Sequence, residues 1–249
     1  MAKSSLLLAL LVTLPLTALG GEARIAVAAN FAAPAEALTK TFSASSGHTY
    51  ALSASSTGKL YAQISHGAPF DLLLSADQKT PQMLIDDGLA SAASRFTYAK
   101  GTLVLWSADD AMLGDGATVL RAGNFRHLAI AAPDLAPYGK AAEQTLAALG
   151  LSNAVKAKLV TGENIAQAHQ FAVSGNAELG FIAWSQVMKG GQLTGGSVWV
   201  VPTDLYQPIK QDAVLLKTGA DNEAAKAFLT FLKSETAQAI MDSYGYRRP

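Results

Sequence analysis

The chain has 249 residues, 50% of them hydrophobic and 15% charged, with 19 Lys and Arg against 19 Asp and Glu. So apolar and balanced a composition excludes a disordered chain, and a formal net charge of zero leaves no basic footprint for nucleic acid or an anionic membrane. The absence of cysteine excludes a disulfide scaffold, a thiol nucleophile and a cysteine-held zinc.

The first element reads as an export signal. Lys3 charges the start, residues 6–19 form an apolar run interrupted only by Thr13, Pro15 and Thr17, and Ala18 and Gly20 are small. This is the layout of a secretory signal peptide over residues 1–20, with cleavage expected after Gly20 and, as second choice, after Ala23. An uncleaved anchor is the competing reading, but the run falls short of the roughly 20 residues a spanning helix needs and holds a proline. No cysteine follows it to take a lipid. The expected product is exported and is not embedded in a membrane.

Beyond the signal, short apolar strands and helical patterns alternate. A strand is expected at 24–28, a helix at 34–42 with Pro34 in its first turn, a strand at 49–53 and a helix at 59–65. A strand at 70–75 and a helix at 80–87, closed by Gly88, complete this unit. Residues 100–106 read as one longer strand leading away from it. The pattern then restarts with strand 127–131, helix 140–149 ended by Gly150, strand 158–161, helix 165–173 and strand 178–184. Strands at 197–201 and 211–217 follow, then helices at 222–233 and 235–243. The first of these helices places Ala225, Phe228, Leu229 and Leu232 at helical spacing.

Alternation with short joins predicts α/β units built on parallel sheets covered on both faces. Two such units would make two lobes with a cleft, one of residues 21–101 with 208–249 and one of residues 102–207. A single doubly wound sheet is the alternative, disfavoured because single cores become uncommon near this length.

Catalytic signals are missing. His48, His66, His127 and His169 show no i, i+4 pairing for a metal, and there is no nucleophile elbow, Walker loop or dinucleotide fingerprint. Asp86-Asp87 and Asp109-Asp110 are chain neighbours and cannot face one another across a sugar. No cofactor or resident metal is expected.

What the chain has instead is a set of strand-to-helix junctions rich in small polar residues. These are Ala28-Ala29-Asn30-Phe31, Ser55-Ser56-Thr57-Gly58, Ala136-Pro137-Tyr138-Gly139 and Gly162-Glu163-Asn164-Ile165. The first N–H groups of a helix have no internal partner and sit at the positive end of its dipole. Several such ends meeting at one point hold an anion without Lys or Arg, and Asn, Ser, Thr and Tyr side chains add donors. Taken singly, each junction reads as an ordinary N-cap. Their recurrence on both units of an exported chain without catalytic motifs points to binding.

With Gly67-Ala-Pro-Phe-Asp71-Leu-Leu-Leu-Ser-Ala-Asp77, Gly180-Phe-Ile-Ala183-Trp184 and Tyr244-Gly-Tyr246, these motifs resemble the periplasmic molybdate-binding proteins of ABC importers. The resemblance runs in order through essentially all of the chain beyond the signal. It implies a two-lobed type II periplasmic binding fold, each lobe a mixed sheet flanked by helices, with molybdate or tungstate taken into the cleft and a membrane permease as partner. A monomer is expected. By position it implies Asn30 and Thr57, with Ser56 beside it, as side-chain donors. Tyr138 and Ile165 match main-chain donors, and Ala29 offers a further one. Ala183 departs from members that carry a donor tyrosine there.

Asp71 and Asp77 are expected to serve the framework, and Glu163 and Asp134 to point away from the ligand. Tyr244 and Tyr246, though similar to tyrosines of ferric-ion binding relatives, are expected to pack. The rival readings are a receptor for another solute such as sulfate, phosphate or a small organic acid, and an exported hydrolase built on Ser56. No arginine in the four loops clamps an organic acid, and no motif orients a base toward Ser56.

Overall fold

A computed structural model describes residues 20–249; apart from Gly20, the expected signal peptide lies outside the described residues. The chain begins with β1 (Glu22–Ala28), a 3-10 turn at Ala29–Phe31, α1 (Ala32–Ser46), β2 (Thr49–Ser55), α2 (Thr57–Ser65), β3 (Leu72–Leu74), α3 (Lys79–Asp86) and β4 (Phe96–Gly101). Only Thr102 separates β4 from β5 (Leu103–Ser107), yet the two strands belong to different sheets. Next come α4 (Gly116–Ala122), β6 (Leu128–Ala131), α5 (Pro137–Ala148), the short α6 (Ser152–Val155), β7 (Leu159–Gly162), α7 (Ile165–Val173) and β8 (Leu179–Ala183). A hairpin of β9 (Met188–Lys189) and β10 (Gln192–Leu193) leads to β11 (Ser197–Val200). Residues 201–208 return the chain to the first sheet, where β12 (Ile209–Leu215), α8 (Glu223–Phe231) and α9 (Glu235–Ser243) end the fold.

The two five-stranded sheets repeat one topology. Their orders are β2-β1-β3-β12-β4 and β11-β5-β8-β6-β7, the second read in reverse matching the first. In each, three strands run parallel, with β1 between β2 and β3 and β6 between β7 and β8. The alternation alone predicts parallel sheets; both are in fact mixed. The antiparallel strands include those the chain lays down on arriving from the other lobe, β12 beside β3 and β5 beside β8.

Both faces of each sheet are covered, so the central strands are apolar throughout, and their two-residue period divides their side chains between separate cores. Ile25 and Val27 of β1 join Phe31, Leu38 and Phe228, whereas Ala26 faces Leu60 and Leu84. In β5, Leu103 and Leu105 enter one core and Val104 and Trp106 the other. The helices answer with apolar stripes: α5 buries Tyr138, Ala141, Ala142, Thr145 and Leu146 on one face.

The structure corrects several elements: the strand expected at 211–217 is β12 at Ile209–Leu215, the helix expected at 34–42 is α1 at Ala32–Ser46, and α4, α6, β9 and β10 are unexpected. The single strand expected at 100–106 is two strands broken at Thr102, because the chain changes sheets there. The helix expected from 140 begins at Pro137, whose fixed φ and missing N–H suit a first helical position. Among the described residues, no helix is long and apolar enough to cross a membrane.

Candidate functional site: an uncharged cavity between the lobes

In each sheet the connections leave the middle parallel strand in opposite directions, first to β2 or β7 and then to β3 or β8. Such a reversal opens a crevice at the carboxyl ends of the strands. The two crevices face each other. Between them lies a cavity of about 10 Å³, far smaller than the roughly 300–1,000 Å³ of sites for drug-sized ligands.

All six candidates, Ala29, Asn30, Ser56, Thr57, Tyr138 and Ile165, line this one cavity. Ser55 and Ala76 line it as well. Sequence reasoning did not single them out: Ser55 stands in the same Ser-Ser-Thr run, and nothing local marks Ala76. No Lys, Arg, His, Asp or Glu is in the lining.

Ser56 is the N-cap of α2 by backbone conformation, yet its side chain makes no capping hydrogen bond. Its Oγ is buried without any partner in the protein, although it lines the cavity. A buried hydroxyl normally finds a partner. Next to it, Thr57 Oγ1 accepts from the Ala76 N–H at 3.4 Å, which leaves its own proton to donate. Across the cleft, α5 starts at Pro137 with no side-chain cap. At α7, Asn164 Oδ1 accepts from the N–H groups of Ala166 and Gln167, both at 3.0 Å. The Asn164 cap therefore serves the second and third N–H groups of the helix and not the first, that of Ile165.

Asn30, expected as a side-chain donor to the ligand, instead spends its side-chain amide within the protein, which leaves its main-chain N–H for the cavity. Its Nδ2 donates to Gln211 Oε1 at 3.0 Å and to Tyr246 Oη at 2.9 Å, so both amide hydrogens are engaged within the protein. Gln211 Oε1 also accepts from Tyr98 Oη at 3.0 Å, and Gln211 Nε2 donates to Tyr138 Oη at 3.2 Å. Burial holds the Tyr98 and Tyr138 phenols well above their usual range and pushes Tyr246 up to about 12. All three remain protonated at neutral pH, and this layer behind the cavity carries no charge. Tyr246 packs edge-on against Phe31, with ring centroids 5.1 Å apart, so it both packs and bonds. Tyr244 packs at the margin of the same core.

The charged candidates lie elsewhere. Asp71 accepts from the Arg24 N–H at 2.7 Å, and Asp77 accepts from the Thr80 N–H at 2.9 Å ahead of α3. Glu163 pairs with Lys59 at the exposed rim at 2.6 Å, and Asp134 is exposed. Ala183 is fully buried and outside the lining. Among the described residues, no group of three or more His, Asp or Glu side chains is placed to hold a metal ion.

Two lobes closed on a small uncharged cavity make a capture site. The sequence profile described as bacterial extracellular solute-binding protein matches residues 23–247. The chain belongs to this family. It is 53% identical over 225 residues to the molybdate-binding protein ModA of Azotobacter vinelandii, covering 90% of this chain and 89% of that protein. It is 50% identical over 239 residues to ModA of Rhodobacter capsulatus, covering 96% and 93%. Its fold superimposes on the solved Azotobacter vinelandii periplasmic molybdate-binding protein with a TM-score of 0.88 at 39% identity, over 91% of this chain and 99% of that one.

Proposed function

We propose that the protein captures molybdate, or its near-isostere tungstate, in the periplasm and delivers it to the membrane permease of an ABC importer. The observation that carries this reading is the partnerless Ser56 Oγ, buried at the wall of a cation-free cavity where four helical starts meet. No protein group accepts from that hydroxyl, so its proton is available to whatever enters the cavity.

Ser56 and Thr57 give hydroxyl protons. Ala29, Asn30, Tyr138 and Ile165 give main-chain N–H groups from the helical starts of both lobes, which the helix dipoles make electropositive. A fully deprotonated tetrahedral oxyanion accepts at every oxygen and matches such a set. Hydrogen phosphate brings a proton that calls for an acceptor such as a carboxylate, and none lines the cavity. Sulfate shares the charge but is smaller, and cavity size selects against it. The lobes, residues 21–101 with 208–249 and residues 102–207, close as two bodies about the two crossings and open again at the permease. The protein acts as a monomer without cofactor, and no chemistry is done on the guest. Ser56 Oγ has no base within hydrogen-bond reach, which a hydrolytic nucleophile requires.

A thermal-shift panel of oxyanions tests the assignment. At a hundredfold excess over Kd, a ligand that binds only the folded state adds about 2.7 kcal/mol, or roughly 5–10 °C for a chain of this size. Molybdate and tungstate should give that shift, and sulfate and phosphate at equal concentration little. A larger shift with sulfate, or none with molybdate, overturns the assignment.

A further inference from the structure

The three-residue turn after β8, Trp184–Gln186, touches the cavity nowhere. It nevertheless holds one cavity residue from each lobe. Gln186 Oε1 accepts from the Ala183 N–H at 2.9 Å, which fixes the side chain against its own turn, and Gln186 Nε2 donates to the Ile165 carbonyl at 3.0 Å. On the other side, the buried Ser185 Oγ donates to the Asn30 carbonyl at 2.8 Å and lies 3.1 Å from Tyr246 Oη.

The first pair of contacts lies within the second lobe and survives opening. The bond from Ser185 to Asn30 joins the two lobes, so separating them would break it. When it breaks, the Asn30 carbonyl keeps the Tyr246 hydroxyl, 2.9 Å away within its own lobe, so the open state loses no essential partner. The crossing bond is thus gained on closure at little cost to the open form.

We propose that Ser185 is a positioning residue for closure: it clasps the turn Ala29–Phe31 from the opposite lobe and slows release of the anion without contacting it. This rests on the oxyanion-capture reading above. Removing one such bond, with a net value typical of buried hydrogen bonds, changes the closed-to-open ratio by roughly 3- to 10-fold.

The test compares wild type, Ser185→Ala and Ser185→Thr by stopped-flow binding of molybdate. It adds interlobe distances from one spin label on each lobe, introduced through cysteines into a chain that has none. Ser185→Ala should leave the ligand-free melting temperature and the association rate as in wild type, raise the dissociation rate roughly 3- to 10-fold and shift the distances toward the open form. Ser185→Thr keeps the hydroxyl and should restore slow dissociation. Wild-type dissociation in Ser185→Ala, or equal impairment in both variants, overturns the proposal. If wild type binds no molybdate, the capture reading fails on its own. The distances then decide for Ser185, and an unchanged distribution in Ser185→Ala removes its role.

Discussion

At the scale of single residues, Ser56 and Asn30 sit on one cavity and are held in opposite ways. Ser56 Oγ has no partner, whereas the Asn30 amide donates twice within the protein. Their alanine variants should therefore differ in kind. Ser56→Ala deletes an unsatisfied buried hydroxyl, so the ligand-free melting temperature should stay level or rise, while molybdate affinity drops by about 1.5–3 kcal/mol, the range for a hydrogen bond to a charged group. Asn30→Ala should lower both, because it removes two buried hydrogen bonds, to Gln211 and Tyr246, that hold the Asn30 turn at the cavity. Melting curves with and without molybdate separate the two cases, and a destabilised ligand-free Ser56→Ala would contradict the assignment. Six of the cavity residues were legible in the sequence because each stands at a strand-to-helix junction, a local signal, whereas Ser55 and Ala76 were not. The sequence was silent on Gln211 and Ser185, which reach Asn30 across 181 and 155 positions of chain and stand in no motif.

At the scale of elements, strands and helices with strong apolar periods were readable, and those defined by a distant partner were not. Residues 100–106 are nearly continuous in character, and only the change of sheet at Thr102 splits them. The helix α4 is a seven-residue segment burying only Gly116 and Leu120, too little for a period. The β9–β10 hairpin did leave a trace: Gly190-Gly191, both at positive φ, is a favoured two-residue hairpin turn.

Where β6 and β8 begin, Glu178 Oε1 meets Arg126 Nε at 2.7 Å and its Oε2 accepts the His127 N–H at 2.9 Å. Desolvation works to raise this carboxyl, but the Arg126 and backbone hydrogen bonds outweigh it and lower the group from 4.5 to about 2. A carboxyl depressed in the folded state contributes stability above its unfolded pKa and loses it as pH falls through the folded one. Wild type should thus lose melting temperature between about pH 4.5 and pH 2 more steeply than Glu178→Gln. Parallel acid profiles for the two proteins would discard this anchor.

At the scale of the whole molecule, Gly101 marks the first crossing between lobes. A Cβ there would lie 2.0 Å from Tyr138 Oη and 2.7 Å from Gln211 Nε2. Tyr138 belongs to the opposite lobe, so that collision arises on closing, whereas Gln211 stands on the neighbouring strand of the same lobe and is crowded in either form. Gly101→Ala should lower the ligand-free melting temperature and cost about 1–3 kcal/mol of molybdate affinity, the usual penalty of overpacking. Calorimetry with wild-type affinity would show that the crossing tolerates a side chain.

The cavity wall, finally, contains no cation, and dipoles orient toward a guest without cancelling its valence. A dianion held there keeps its whole charge, and empty and laden particles differ electrically by all of their cargo. The transporter accordingly meets two populations that are distinct in far field as well as in shape, the laden one the more negative, with the contrast fading beyond about 8 Å in physiological salt.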